Sequence, residues 1–583
     1  MSGGRGDAGS GPRGGGRGRG GAGRAQRDPA RNAAFDVMRA VDERDAYANL
    51  LTPRLLRERG LKGRDAALAT ELAYGTLRGL GTYDAIIAIC SDRAPDPAVR
   101  DALRLGAHQL LRMRVPPHAA VGTTVDLVRQ RVGPGAAKFV NAVLRKIASR
   151  TLEEWLPIVA PDLADDPSGH LAVVHSHPRW VVSAFRDALG SGIEETAELL
   201  AADNARPLVT LVARPGRATR RELLDAGAEP TRYSPYGAYL TEGDPGQIAA
   251  VAETRAAVQD EASQLVALAL TRVPLGPPPS PRPGSAEGEL WLDMCAGPGG
   301  KAGLLDAVAV YGDTAYGDTA YGDTAYGDTA YGDTAYSDTE HRHTASVPGD
   351  VEDVAGSRSA EGAQDGRPAA SPAAGAEGGP SVPGSEGAEG GGAVSGVAEG
   401  GRGVPLRDGA EGGRPVAFPG GARLLAADVQ QHRARLVAQT TAHAGVITAD
   451  GARPAWRPGA FDRVMLDAPC TGLGALRRRP EARWRRDPAS VAELGRLQRT
   501  LLNTALDATR PGGVVAYVTC SPHLAETRVV VGDVIARRDD VEQLDARDYL
   551  PEVDGLGDGP HAQFWPHRHG TDAMFLALLR KRA

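Results

Sequence analysis

The stretch ELWLDMCAGPGGKAGLLDAV, residues 289–308, carries the clearest fold signal in this chain of 583 residues. Apolar residues over 290–294 predict a buried strand, and the residues after Lys301 are typical of a helix. The glycines between them let the backbone approach a ligand closely, and the start of the helix attracts negative charge. A glycine turn also joins strand to helix where nothing binds, so this turn alone identifies no ligand.

Further strand candidates follow this turn, with helical stretches between most of them: ARLLAADV, GVITAD, FDRVMLDA and GGVVAYVTC. Strands that alternate with helices predict a parallel, doubly wound α/β sheet, and ligands bind at the carboxyl edge of such a sheet. Asp428 and Asp450 close the second and third strands. An acid at such a strand end can accept hydrogen bonds from ribose hydroxyls. Together with the turn at 295–301, these acids predict a cleft for a nucleoside-type cofactor.

Two cysteines end the fourth and fifth strands. The motifs LDAPCTG and YVTCSP bring Asp467, Cys470 and Cys520 to the same predicted edge. A free cysteine is often only a small buried hydrophobic residue. Two thiols that converge on one cleft, beside a carboxylate, instead favour nucleophilic or acid–base chemistry. The residues alone leave open which thiol attacks, and a Pro-Cys at a strand end makes Cys470 the first candidate.

The segment LRRRPEARWRR, residues 476–486, has six arginines and one tryptophan. Guanidinium groups suit a phosphate backbone and an indole ring suits an unstacked base. A solvated basic face is the alternative interpretation. We take the following residues as candidates for RNA binding: Arg477, Arg478, Arg479, Arg483 and Trp484.

The composition divides the chain into regions. Residues 1–28 are Gly/Arg-rich and predicted to be disordered, 29–150 form a helical bundle, 151–257 a small α+β module, and 258–583 the strand–helix domain. A Pro-rich linker at 272–288 and a low-complexity insertion at 311–418, which opens with five YGDTA repeats, interrupt that last domain. The insertion follows a crossover helix, so we expect it at the amino edge of the sheet, away from the active site and dispensable for chemistry.

Charge and cysteine spacing restrict the function classes. Residues 311–420 contain 18 acidic and six basic side chains, so they account for −12 of the charge, and a chain total of −6 leaves +6 for the remainder. A mildly basic body is compatible with a phosphate-rich partner. The four scattered cysteines match neither a disulfide framework nor a metal site. No apolar run of about 18 residues occurs, so we expect a cytoplasmic monomer without membrane contact.

At these residues the chain resembles the RNA 5-methylcytosine methyltransferases, in particular the bacterial 16S rRNA enzymes of the RsmB (Sun, Fmu) type. The resemblance rests on these stretches: VQDEASQLVA, LDMCAGPGGK, FDRVMLDAPCTGLGALRRRPEARW, VTCS and GTDAMFLALL. It extends upstream through FVNAVLRK, HSHPRWVV and DNARPLVTL, and the region 29–150 is similar to a NusB-type RNA-binding bundle. The fold implied is multidomain: an all-α NusB-like bundle, a small α+β module and a Rossmann-like α/β class I methyltransferase domain.

The resemblance implies S-adenosylmethionine as cofactor and RNA, most of all 16S rRNA, as partner. It assigns cofactor binding to these residues: Cys295, Ala296, Gly297, Pro298, Gly299, Gly300, Lys301, Asp428, Asp450 and Asp467. It implies that Cys520 attacks C6 of a cytosine, that Cys470 helps release the product and that Asp467 holds the base. The alternatives are a tRNA or another rRNA cytosine, a DNA cytosine methyltransferase in which Cys470 attacks, and a non-catalytic NusB-like RNA-binding factor.

Overall fold

The large sheet at the centre of the C-terminal region follows the predicted alternation of strands and helices. The structure, a computed structural model, describes residues 28–277, 288–313 and 422–582. The predictions for the tail up to residue 27, for 278–287 of the linker and for 314–418 of the insertion lie outside these ranges.

The N-terminal region is an all-helical bundle, as its apolar spacing predicted. The Asp28 side chain caps the first helix by accepting from the backbone N–H of Arg31 at 3.0 Å, and Pro29 occupies the first turn. Apolar side chains such as Leu72, Tyr83 and Leu103 fill the shared core. The helices are α1 (Pro29–Arg44), α2 (Ala48–Glu58), α3 (Gly63–Arg78), α4 (Leu80–Cys90), α5 (Pro97–Leu111), α6 (Pro117–Arg131) and α7 (Pro134–Ile147).

The region predicted as one α+β module consists of two parts with separate cores. Its helices are α8 (Leu152–Val159), α9 (Pro167–Val174), α10 (Arg179–Leu189) and α11 (Ile193–Asn204). Phe185 on α10 packs with Leu473 and Leu476 of the strand–helix domain. The second part is an antiparallel sheet of order β2-β3-β1-β4. Its elements are β1 (Val209–Ala213), α12 (Arg220–Asp225), β2 (Glu229–Pro230), β3 (Gly237–Leu240), α13 (Ala249–Ala252) and β4 (Ala256–Val258).

The strand–helix domain begins with α14 (Glu261–Arg272) and contains a sheet of order β10-β12-β9-β8-β5-β6-β7, with β11 paired to β12. Its strands are β5 (Glu289–Asp293), β6 (Ala422–Asp428), β7 (Gly445–Thr448), β8 (Phe461–Asp467), β9 (Thr509–Thr519), β10 (Val541–Leu544), β11 (Ala562–Gln563) and β12 (Phe575–Lys581). The five strands from β5 to β9 pair in parallel, as predicted. β12 runs antiparallel to β9. It also pairs antiparallel with the preceding strand β11, and antiparallel neighbours need no crossover helix between them.

Helices cover both faces of this sheet: α15 (Gly300–Tyr311), α16 (Gln431–Thr440), α17 (Pro488–Ala508), α18 (Arg528–Ile535) and α19 (Pro566–His569). Successive side chains of β8 alternate between two cores, with Met465 in one and Val464 and Leu466 in the other. The chain runs from β5 outward to β7, then returns to build β8 and β9 on the other side of β5. The sheet order therefore reverses between β5 and β8, which is where a ligand crevice is expected in such a fold.

The described ends of the insertion lie at the amino edge of the sheet. Helix α15 continues to Tyr311, one residue into the predicted insertion, and Asp313 accepts a hydrogen bond from the Tyr236 hydroxyl at 2.6 Å. On the far side, Ala422 pairs with Glu289, the first residue of β5. Within the three described ranges, no helix is long and apolar enough to cross a membrane.

Candidate active site

The glycine turn after β5 packs tightly against the end of β6. Gly299 has a φ of +108°, and a Cβ added there would lie 2.1 Å from the Thr440 hydroxyl oxygen. A Cβ on Gly297 would lie 2.4 Å from Asp428 Oδ2. Glycine at position 297 therefore allows the turn to approach Asp428, and glycine at position 299 allows it to approach helix α16.

Asp428 is fixed by this turn and by its own loop. Its carboxylate accepts from the backbone N–H groups of Gly297 at 3.1 Å and Gln430 at 2.8 Å, and the Arg433 Nε lies 3.5 Å away. Arg433 also donates to the Gly297 carbonyl oxygen. A carboxylate oxygen can accept a second hydrogen bond, so Asp428 retains capacity for a ribose hydroxyl. No local pattern pointed to Arg433, which lies on α16 and reaches the turn only in the folded chain.

The two predicted thiols meet at the next two strand ends. Cys470 Sγ lies 3.4 Å from Cys520 Sγ. The hydrogen bond from the Cys470 thiol lowers the pKa of Cys520, while the same contact, together with burial, raises the pKa of Cys470 well above its usual range. The thiolate is the nucleophilic form of cysteine. The contact itself is symmetric, and it is the direction of the two pKa shifts that favours Cys520 as the anion and Cys470 as its hydrogen-bond donor.

An ion pair lies beside these thiols. Lys301 Nζ donates to Asp467 Oδ2 at 2.8 Å. Burial alone would lower the pKa of Lys301, but the Asp467 carboxylate holds it above its ordinary value, so the ammonium stays charged. That charge in turn contributes to lowering the pKa of Cys520. Lys301, predicted as a cofactor ligand, thus contacts Asp467 at the catalytic end of the site.

Two groups at the start of the glycine turn, Asp293 and Cys295, have raised pKa values. Burial, reinforced by the charge of Asp467, raises the pKa of Asp293 to about 7. Burial and the neighbouring acids raise the pKa of Cys295 well above its usual range. Cys295 is therefore a neutral thiol at physiological pH and is unsuited to attack a substrate.

A buried glutamate joins the two cysteine loops. Glu526 is fully buried and accepts from the Thr471 backbone N–H at 2.8 Å, the Thr471 hydroxyl at 2.5 Å and the Ser521 hydroxyl at 2.7 Å. Gln498 donates to the Pro469 carbonyl oxygen at 2.8 Å and to Glu526 at 3.3 Å. Since Thr471 and Ser521 each directly follow a site cysteine, this network sets the distance between the thiols. The sequence analysis assigned no role to Glu526, whose position only six residues after Cys520 is a weak signal.

The strand ends open into a cavity of about 590 Å³. Nine of the predicted site residues line it: Cys295, Gly297, Asp428, Asp450, Asp467, Cys470, Arg479, Trp484 and Cys520. The other members of the predicted turn shape the backbone without lining the cavity: Ala296, Pro298, Gly299, Gly300 and Lys301. Asp450 follows β7 and is exposed to the cavity, as expected for a strand-end acid.

The prediction of RNA contact is wrong for Arg483. Its side chain is fully buried and donates to the Ser176 carbonyl oxygen at 3.0 Å and to Asn204 Oδ1 at 2.9 Å. It therefore ties the catalytic domain to the helices α9–α11 and is not available to RNA. The prediction failed because an arginine in an arginine-rich segment can donate to buried polar groups of the same chain as well as to RNA.

Arg477 and Arg478 are likewise engaged with acids of this chain. Arg478 Nε donates to Asp572 at 3.0 Å, and Arg477 lies 3.8 Å from Asp260. Both acids are buried. Arg479 and Trp484 line the cavity, as do Arg485 and Arg486, which the sequence analysis had not selected. Across the described ranges, no cluster of three or more His, Cys, Asp or Glu side chains could hold a metal ion.

A crevice at the switch point, with a glycine turn on one side and strand-end acids on the other, defines a Rossmann-like enzyme that uses a nucleoside-type cofactor. Comparisons with known proteins make this class specific. The 16S rRNA methyltransferase RsmB/F family matches residues 418–580, and the NusB family matches residues 28–149. A protein of Mycobacterium tuberculosis named as a methyltransferase is 44% identical over 561 residues, which is 95% of this chain and 97% of that protein. The chain belongs to the RsmB/F methyltransferase family.

More distant relatives share the same extent. The ribosomal RNA small subunit methyltransferase B of Vibrio cholerae is 25% identical and covers 94% of this chain and 96% of its own length. The crystal structure of PH0851 superposes with a TM-score of 0.62 at 18% sequence identity, covering 95% of this chain and 99% of that one. This structural likeness supports the fold of the whole chain.

Proposed function

We propose that this enzyme transfers a methyl group from S-adenosylmethionine to C5 of a cytosine in RNA. Small-subunit rRNA is the substrate class that the names of its relatives favour. The observation that carries the proposal is the thiol pair, 3.4 Å apart at the end of the cavity, in which only Cys520 has a lowered pKa.

The chemistry explains why a thiolate is required. C5 of cytosine is a poor nucleophile. When the Cys520 thiolate forms a bond to C6, the electron pair of the C5–C6 double bond is displaced and N3 takes a proton, which makes C5 an enamine carbon. C5 then forms the new bond to the methyl carbon as the bond between that carbon and the sulfonium sulfur breaks, which leaves S-adenosylhomocysteine as the neutral thioether. Loss of the C5 proton to a base restores the C5–C6 double bond and expels Cys520 as a thiolate, and N3 gives up the proton that it had taken.

Asp467 contacts the base in this scheme, and Lys301 acts through Asp467 and through its charge. Asp467 lines the cavity, and its Oδ2 is held at 2.8 Å by Lys301, so Asp467 keeps one orientation toward the ligand. A carboxylate with a free lone pair can accept from the amino group of cytosine. The buried ammonium beside it, which does not line the cavity, keeps Asp467 paired and helps to lower the pKa of Cys520. The target base must leave any duplex to reach this depth.

The glycine turn and Asp428 fit the proposed methyl donor. When bound, S-adenosylmethionine supplies an electrophilic methyl group on a positively charged sulfur. Asp428 and Asp450 line the same cavity as the thiols, and so does Gly297, whose lack of a Cβ lets the turn lie against Asp428. The acids at this edge also suit a positively charged ligand.

Cys470 is assigned to product release. Its thiol faces Cys520, and its raised pKa keeps it protonated while Cys520 is ionised. A proton donor at this distance stabilises Cys520 as it leaves C6. A DNA-type mechanism, in which the Pro-Cys thiol attacks, would require the opposite order of the two pKa values.

The test is the covalent RNA adduct. Purified protein is incubated with S-adenosylmethionine and an unmodified 16S rRNA fragment, and adducts are resolved on denaturing gels. Cys520→Ala should form no adduct and no 5-methylcytosine, whereas Cys470→Ala should accumulate the adduct. Cys90→Ala, which removes a thiol in the bundle core, is the matched control and should turn over normally. Swapped phenotypes for Cys470 and Cys520 would overturn the assignment.

The same assay with tRNA in place of rRNA separates the remaining substrates. Bisulfite sequencing of rRNA from a deletion strain would then identify the cytosine. Absence of 5-methylcytosine from every RNA, with RNA binding intact, would favour a non-catalytic RNA-binding factor instead.

A further inference from the structure

The turn between α1 and α2 brings the helical bundle into the catalytic cavity. Asp45 has a φ of +50°, which turns the chain so that Tyr47 precedes α2 at the cavity wall. The turn is fastened to the catalytic domain, because the Ala48 backbone N–H donates to the buried Glu481 at 3.1 Å and Arg485 donates to the Ala46 carbonyl oxygen. The bundle therefore forms part of the active-site wall.

Two aromatic side chains on this wall remain open to solvent. Tyr47 is 42% exposed and Trp484 is 38% exposed, although both are large hydrophobic residues of the kind that is usually buried. Trp484 rests directly on Gly81, where an added Cβ would lie 2.6 Å from the indole ring. Its orientation is therefore fixed by the backbone of the bundle, with part of the ring left uncovered.

Two arginines lie beside the Tyr47 ring. The guanidinium groups of Arg479 and Arg485 lie 5.4 Å and 5.0 Å from the centre of the Tyr47 ring. Both arginines line the cavity that contains Cys470 and Cys520. Aromatic rings beside guanidinium groups are the pattern by which proteins bind unpaired nucleotides, with the rings stacking on bases and the cations contacting phosphates.

We propose that Tyr47 and Trp484 form a stacking site for an unpaired nucleotide next to the target cytosine, with Arg479 and Arg485 contacting its phosphate. The inference rests on the proposed function, since it names the RNA subsite of the same cavity. It gives the helical bundle a direct part in substrate binding, through a residue to which the sequence analysis assigned no role. Neither half of the site is complete without the other domain.

The experiment measures binding of a single-stranded oligoribonucleotide with one cytosine in an adenosine and uridine background. A second oligonucleotide is abasic at the positions that flank the cytosine. Tyr47→Ala should weaken binding of the intact RNA by about 5- to 100-fold, as expected for the loss of one stacked base. It should have little further effect on the abasic RNA, which lacks the stacking partner. Tyr47→Phe should restore the binding that Tyr47→Ala loses.

Salt dependence separates stacking from charge. Tyr47→Ala should leave the slope of log affinity against log salt unchanged, whereas Arg485→Ala should reduce that slope by about one. Leu50→Ala is the matched control, because Leu50 lies three residues further on and is 67% exposed but does not line the cavity. If Tyr47→Ala lost the same affinity for intact and abasic RNA, Tyr47 would have only a structural role and the proposal would be overturned. An unchanged affinity of Tyr47→Ala for intact RNA would also overturn it.

The outcome is distinguishable from failure of the proposed function. Wild-type protein that forms 5-methylcytosine, with no dependence of RNA binding on Tyr47, would refute only the stacking site. Protein that shows the Tyr47-dependent pattern but forms no 5-methylcytosine would refute only the methyl transfer.

Discussion

The two edges of the catalytic sheet use charged residues in opposite ways. At the amino edge, Arg463 pairs with Glu289 at 2.7 Å, and Arg510 pairs with Asp462 at 2.5 Å, while Asp462 also accepts from the Leu290 backbone N–H at 2.6 Å. Each cation meets an anion there. This edge joins the strands and carries the described ends of the insertion.

The carboxyl edge instead crowds like charges together. Asp293, Asp428 and Asp467 lie close enough that the charges of the other two help raise the pKa of Asp293, and Lys301 is the cation that offsets them. The two thiols, with opposite pKa shifts, lie beside this group. Perturbed pKa values are typical of functional sites, and satisfied pairs are typical of structural ones. The comparison predicts that substitutions at one edge change the chemistry and that substitutions at the other change the stability.

Removing the cation at the carboxyl edge should have the largest effect on the rate. Lys301→Met should slow adduct formation on the order of 100-fold, because a buried charge that stabilises the Cys520 thiolate is lost. The rate rises with pH as Cys520 ionises. Without the Lys301 charge the pKa of Cys520 is higher, so this rise in the pH–rate profile should occur at higher pH. Single-turnover rates between pH 6 and 10 measure both effects. Lys301→Arg retains the charge and should move the limb less; an unchanged profile in Lys301→Met would contradict the role of this charge.

Loosening the cysteine loops should have a smaller effect. Glu526→Gln keeps the shape but replaces an acceptor with an amide donor that faces the Thr471 hydroxyl and backbone N–H. We expect about a tenfold lower rate, since the loops that hold the thiols are displaced, together with a loss of roughly 1–3 kcal/mol in the free energy of unfolding. Quenched single-turnover assays measure the rate, and urea unfolding measures the loss of stability. A stability loss with an unchanged rate would show that the network does not position the thiols.

The amino edge should show the reverse pattern. Asp462→Asn leaves the buried Arg510 guanidinium without its charged partner, which costs about 3–5 kcal/mol in the free energy of unfolding. The rate of the folded enzyme should change less than about twofold, because the site is at the far end of the strands. The urea midpoint and the initial rate are the two measurements. Asp507→Asn is the surface control. The Asp507 carboxylate is more than half exposed and lies 2.7 Å from Arg538, so its replacement should shift the urea midpoint little.

Removing the insertion should have the smallest effect. Replacing residues 314–418 with a short Gly-Ser linker keeps Asp313 and its hydrogen bond from Tyr236. Because the insertion leaves and rejoins at the amino edge, kcat/KM with RNA should stay within about twofold of the wild type. A large loss of in-vitro activity would show that this segment takes part in RNA recognition.

Local signals in the chain predicted most of the fold. Helical spacing identified the bundle, and strand–helix alternation identified the parallel half of the sheet. The residues of β12 do not indicate whether the strand runs parallel or antiparallel to β9, because strand direction depends on how the chain returns to the sheet. The small α+β module looked like one unit because its local patterns do not reveal that α10 packs against Leu473 and Leu476, nearly 300 residues away.

The arginine segment shows where residue type is least informative. Arg479 and Arg483 are four residues apart in one short motif, yet Arg479 lines the cavity and Arg483 is fully buried against Ser176 and Asn204. A guanidinium group serves equally well as an internal bridge and as a phosphate ligand. The choice depends on which surfaces come together, and no local pattern records that.

The sequence by itself determined the strand–turn–helix core, the two Cys motifs and the acids at the strand ends, because parallel strands bring their carboxyl ends to one edge whatever else the chain does. The tertiary structure alone brought the two thiols to 3.4 Å, in loops 50 residues apart, and placed Lys301 where its charge favours a lower pKa at Cys520. It also decided that Tyr47 of the bundle shares the catalytic cavity. Burial, distance and neighbouring charge set these properties, and all three arise only when the domains are packed together.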